Sequence, residues 1–142
     1  MRIPLPLIAL ATAALVATGC GGDSNAPDTS HVGTYALESV DGARLPITIF
    51  DDSTMKVTLT QGSLALNANN SFLETVRLEL ITGGQAAPPE TISCGGTYRR
   101  SGSTVTLTAT QTADCDASTA TATLSGPVLT VTDQGTLLVF RR

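Results

Sequence analysis

The stretches "SGSTVTLTA" (Ser101–Ala109) and "STATATLSGPVLTV" (Ser118–Val131) decide the fold. In the first, Val105, Leu107 and Ala109 alternate with Thr104, Thr106, Thr108 and Thr110. In the second, Ala120, Ala122 and Leu124 alternate with Thr119, Thr121 and Thr123. A period of two puts each set on its own side of an extended chain, and β-branched threonine suits a pleated, half-wet surface. The apolar rows therefore face a core, and threonine faces water. Ser101-Gly102 and Ser125-Gly126 supply the turns, since glycine accepts the positive φ that tight hairpins need. Pro127 then opens a strand, where its missing N–H does little harm.

The same grammar extends outward. Met55, Val57 and Leu59 alternate with Lys56, Thr58 and Thr60; Val76, Leu78 and Leu80 alternate with Arg77 and Glu79. Further turns fall at Asp41-Gly42, Gln61-Gly62, Asn69-Asn70 and Gln134-Gly135. Strands are expected over 33–40, 44–50, 55–67 (with a break at Gly62), 71–81, 92–99, 103–110, 118–124, 127–132 and 135–141. Residues 82–91, "TGGQAAPPET", form the one long irregular stretch, because Pro88-Pro89 suits neither strand nor helix. The fold class is all-β, an antiparallel meander barrel of about 8–10 short strands, with a two-sheet β-sandwich as the alternative.

The first thirty residues follow different rules. Met1 and Arg2 give a positive start, and "IPLPLIALATAALVA" (3–17) is uncharged and mostly apolar, as in a secretory signal. The run ends in "ATGC", Ala17 to Cys20, which resembles the lipobox of bacterial lipoproteins; Ala17 stands where leucine is preferred. That resemblance implies a diacylglycerol of palmitate-type chains on the Cys20 sulfur and cleavage after Gly19. An ordinary cleaved signal and an uncleaved span over 3–22 compete with it. Pro4, Pro6 and the Gly19/Gly21/Gly22 cluster make the latter a poor membrane helix. The expected organisation is a signal peptide (1–19), a lipidated flexible tether (20–31) and a barrel domain (32–142). The tether, "GGDSNAPDTSH" after Cys20, has no large apolar side chain and should stay flexible. Its His31, the only histidine, reads as a solvated polar residue. Gly21 after the lipidated cysteine implies, by the same resemblance, the outer membrane of a bacterial envelope.

Composition narrows the partners. Loss of residues 1–19 leaves 123 of 142 residues, enough for one domain with a real core. Loss of Arg2 takes the 8 Lys and Arg to 7, against 12 Asp and Glu, a net charge of −5. Such a chain is a poor ligand for nucleic acid, and its membrane contact should come through the lipid on Cys20 alone. Cys94 and Cys115 would both be exported, so a disulfide is their simplest state, with two buried free thiols as the alternative. A two-residue turn at Ser101-Gly102 pairs position 94 with 109, so the bridge would fold loop 111–117 back onto the open end of the hairpin.

A second resemblance covers roughly 32–142. "VGTYALESVDG" (32–42) and "LLVFRR" (137–142) resemble the ends of lipocalins and related calycins. Those barrels open on Gly-x-Trp and close with an arginine packed over that tryptophan. The resemblance places Gly33 and Tyr35 at the opening and Arg141 or Arg142 as the closing arginine, with tyrosine in place of tryptophan. It implies a small barrel able to hold an apolar ligand.

Chemistry is sparse. There is no G-x-S-x-G elbow, Walker loop, H-E-x-x-H or EF-hand pattern, so no catalytic activity, metal or cofactor is expected. Asp51-Asp52 reads as a turn, and Asp114 and Asp116 as residues that keep the Cys115 loop wet. Glu74 shares its face with Phe72, Val76 and Leu78: it is either an inward carboxylate near a barrel mouth or the sign of a bulge that reverses the pattern. The inner wall from Ala109, Ala120 and Ala122 contributes little volume, and the chain has only 3 Phe, 2 Tyr and no Trp to fill the space. Either the opposite wall, with Phe72, Leu64, Leu66, Val76, Leu78 and Leu80, collapses onto it, or a ligand-sized cavity remains. Two functions follow: a carrier of a small apolar ligand, or an envelope lipoprotein acting through protein contacts. The second would inhibit a hydrolase, aid envelope assembly or serve a structural role, with loop 82–91 free to project.

Overall fold

The structure is a computed structural model that describes residues 28–142. The expected signal, Cys20 and the expected tether through residue 27 lie outside the described residues. Those that are described form eleven strands and no helix: β1 (Gly33–Val40), β2 (Ala43–Arg44), β3 (Ile47–Asp51), β4 (Met55–Leu66), β5 (Ser71–Thr82), β6 (Gln85–Ala86), β7 (Glu90–Ser101), β8 (Thr104–Ala109), β9 (Thr119–Ser125), β10 (Val128–Asp133) and β11 (Thr136–Arg141). Eight of them close a ring in the order β1, β11, β10, β9, β8, β7, β5, β4, every pair antiparallel. Closure comes from the first and fourth strands, where Gly33 pairs with Leu66 and Ala36 with Ser63. Because the ring closes, the protein is a barrel rather than a sandwich, and most of the meander has no free edge. β2, β3 and β6 lie outside the ring.

Register shows why these residues close so. Across β8, β9, β10 and β11, Val105, Ala122, Val131 and Leu138 are successive ladder partners, all facing inward. Leu124, Leu129, Phe140 and Leu37 form the next such row. Tyr98, Leu107 and Ala120 form another. Small alanines on one wall leave room for Phe72, Tyr98, Tyr35 and Phe140 from the others, and all four aromatic residues are buried. A Cβ at Gly96 would lie 2.8 Å from Phe72 Cε1 and would collide with the Thr108 carbonyl. Only glycine admits that ring so close to the wall.

Two irregularities set the faces. Between Leu59 and Gln61 the β4–β5 register slips by one residue, so inward positions change from Val57 and Leu59 to Leu64 and Leu66. The expected break at Gly62 is therefore a bulge around Thr60, and Gly62 lies within the strand. A second slip between Leu37 and Ser39 moves the inward face of β1 to Val40. The expected strand 44–50 is interrupted at Leu45 and Pro46, since Pro46 has no N–H for a ladder. The stretch 82–91 is shorter than the sequence implies. β5 runs to Thr82, Gly83 and Gly84 turn the chain, and β6 pairs back before Pro88-Pro89 stops it. Asp52 does shape a turn, its carboxylate accepting from the N–H groups of Thr54 and Met55, each at 2.7 Å.

Alternating strand directions sort the connections into two ends. One end holds residues 28–32, the turns at 67–70, 102–103 and 126–127, and Arg142. The other holds Asp41-Gly42, the loop 110–118 and Gln134-Gly135.

Candidate functional site

The first end is sealed by a polar network. Arg100 Nη1 lies 3.0 Å from His31 Nδ1 and 2.6 Å from an Asp28 oxygen. A guanidinium has only donors, so His31 Nδ1 accepts and the imidazole is neutral, with its proton on Nε2. Nε2–H then donates to the Tyr98 hydroxyl at 2.9 Å, and that hydroxyl donates to the Asn67 carbonyl at 2.8 Å. Tyr35 donates to the His31 carbonyl at 2.7 Å. Burial, and then the Arg100 charge, push the imidazole below its ordinary 6.5. His31, only 8 % exposed, is thus a plug rather than the solvated residue its polar neighbours suggest. Its partners lie far away in sequence, which local composition does not register.

Arg142 completes the seal. Its guanidinium lies 5.4 Å from the centroid of the Tyr35 ring and donates to the Val32 carbonyl at 2.8 Å. Gly33, at φ +147°, lets it pass, since a Cβ there would sit 3.1 Å from Arg142 Cδ. Arg141 instead points outward and pairs with Glu38 at 3.1 Å. Phe140 faces inward, so position 141 must face out and 142 in.

The opposite end is open and concave. A cavity of about 290 Å³ there has a floor of Phe72, Leu107, Ala109, Ala120, Val131 and Leu138. Its wall carries Glu74, Asp133, Asp114 and Asp116. The β5–β7 register runs without a slip from Ser71 to Leu78, with Glu74 opposite Cys94 and Leu64. Glu74 is therefore an inward carboxylate, not the mark of a bulge. Burial, and then the neighbouring Asp133 charge, raise its carboxyl above the ordinary 4.5.

The disulfide Cys94–Cys115 holds the lip of this cavity, with 5.7 Å between its Cα atoms. The hairpin turn is Gly102-Ser103 rather than Ser101-Gly102, because Ser101 pairs with Thr104. Gly96, not Cys94, is consequently opposite Ala109; a shift of two leaves every face unchanged. The bridge draws loop 110–118 over the mouth, and Asp114 and Asp116 become wall residues rather than mere loop solubilisers. Of the expected lining, Phe72, Ala109 and Ala120 reach the cavity. Ala122, 1 % exposed, lies in the packed core, and Val76 and Leu78 pack against that core outside the cavity. The barrel is thus filled toward its sealed end and hollow at its mouth. Asp133 escaped notice in the sequence, although one more step of two from Leu129 and Val131 reaches it. Among the described residues no cluster of His, Cys, Asp and Glu is arranged to hold a metal ion.

No protein-family profile matches the chain, and no curated protein does.

Proposed function

We propose that the protein is a lipid-anchored lipoprotein of the bacterial cell envelope, at the outer membrane, with a lipocalin-like barrel that binds a small apolar ligand and catalyses nothing. The observation that carries this reading is the mouth cavity, with its apolar floor from five strands and the loop pinned over it. Its volume is about twice that of a 150 Å³ apolar cavity that accepts benzene, so it suits a compact molecule rather than a long acyl chain. The Tyr35–Arg142 contact supports the calycin resemblance, and "ATGC" supports the anchor through Cys20. On this reading the chain enters at the sealed end, so the mouth faces away from the tether and takes its ligand from the aqueous side.

Two tests separate anchor from cargo. Cys20→Ala abolishes incorporation of a fatty-acid label and membrane partitioning; retention in the membrane would overturn the anchor. Protein purified from its native host yields an extractable apolar molecule, and Ala120→Phe, which fills the cavity, prevents its retention. Equal yields from both proteins would overturn the cargo.

A second reading, docking to an envelope protein, rests on β3. It lies at the end of the strand order with β4 as its ring partner, and it exposes Ile49 and Phe50. Loss of a cross-linked envelope partner on Ile49→Lys would favour this reading over the first.

A further inference from the structure

We infer that the mouth cavity takes a compact organic amine, its hydrocarbon body on the Ala109–Ala120 floor and its ammonium group against Glu74 and Asp133. This deepens the proposed ligand-binding function and rests on it. The cavity's apolar floor asks for hydrocarbon, since covering it removes apolar surface from water. Its wall asks for positive charge. Glu74, Asp133, Asp114 and Asp116 all line it, and no Lys, Arg or His among the described residues does. The cations that form ion pairs are elsewhere: Arg100 with Asp28, Arg141 with Glu38 and Lys56 near Asp51. Glu74 is half-withdrawn from water, and no hydrogen bond or cation among the described residues compensates it. A carboxylate in that position gains from a partner that brings charge and N–H donors together. Carboxylates of one sign around low-dielectric walls also concentrate negative potential at the opening. A bare metal ion would leave the apolar floor unused and finds no arranged ligand cluster. A fatty acid would meet repulsion where its head group must sit. An amine on a compact body satisfies both halves of the site.

The test uses the full-length protein and three probes with one hydrocarbon cage: 1-adamantylamine, 1-adamantanol and 1-adamantanecarboxylate. Calorimetric titration at low salt and neutral pH should rank them amine, alcohol, carboxylate, with the amine ahead by roughly tenfold. Added salt and Glu74→Gln should each narrow that gap by weakening the amine, and Ala120→Phe should abolish binding of all three. Asp133→Asn provides a second variant should Glu74→Gln fold poorly. Alcohol binding that equals or exceeds amine binding would overturn the inference while leaving apolar-ligand binding intact. Binding of none overturns the inference too, and extraction from the native host then decides the wider reading on its own.

Discussion

His31 Nε2 lies 2.9 Å from the Tyr98 hydroxyl, across 67 residues of chain. This contact clamps the segment before β1 to the end of β7, and through Tyr98 to the Asn67 turn. The sealed end is held by hydrogen bonds between segments that are otherwise distant, so it is sensitive to single atoms.

Tyr98→Phe removes one oxygen, leaving the His31 Nε2–H without its acceptor and the Asn67 carbonyl with the Asn70 N–H alone. The expected cost is about 1–3 kcal/mol. Urea unfolding should show it as a lower midpoint with an unchanged slope; an unchanged midpoint would mean that water replaces the hydroxyl freely.

Acid should loosen the same end. A folded His31 pKa below 6.5 means that the unfolded chain takes up the imidazole proton more readily. Its contribution to stability is therefore complete above pH 6.5 and is lost as pH falls through that value toward the folded pKa. Protonation places a second donor against Arg100. Melting curves of wild type and His31→Asn should converge on acidification; parallel curves would contradict a neutral, buried His31.

Glu74 has the opposite sign. A carboxyl raised above 4.5 destabilises the fold as pH rises from that value through the folded pKa. Glu74→Gln should melt higher than wild type near neutral pH and at the same temperature below pH 4.5. A variant that melts lower at neutral pH would show that the carboxylate has a compensating partner.

Much of the barrel is legible in the sequence because its code is local. Thr104–Ala109 and Thr119–Ser125 declare their faces by alternation, and the turns at Asp41-Gly42 and Gln134-Gly135 declare themselves by residue type. What local pattern cannot reveal is register. The bulge near Thr60 reverses a face, and Gly62, the residue type that hints at a break, stands two positions further on. Glu74 has the wrong charge for its face, and only its ladder partners Leu64 and Cys94 establish that it points inward. His31 sits in a polar stretch, and its burial depends on Tyr98 and Arg100 far along the chain. Asp114 and Asp116 become cavity wall only because the Cys94–Cys115 bridge places their loop there.

That bridge should be present as one intramolecular disulfide in protein purified from its native host, seen as a mass unchanged by alkylation without reductant. Replacing both cysteines with serine should cost about 3 kcal/mol for a loop of this length. Amide exchange should quicken first in loop 110–118, with the sealed end unaffected. Two alkylatable thiols in that material would remove the latch from the mouth.

The most direct test of a hollow mouth above a filled core places one bulky side chain in each. Ala120 borders the cavity, and Ala122 lies two residues away in the packed layer. Native mass spectrometry and thermal melting of protein from its native host should be run on both phenylalanine variants. Ala120→Phe should lose the bound small molecule and keep its melting temperature. Ala122→Phe should be destabilised by overpacking, about 1–3 kcal/mol. Wild-type protein with a bare mass, together with equal destabilisation of the two variants, would contradict the cavity.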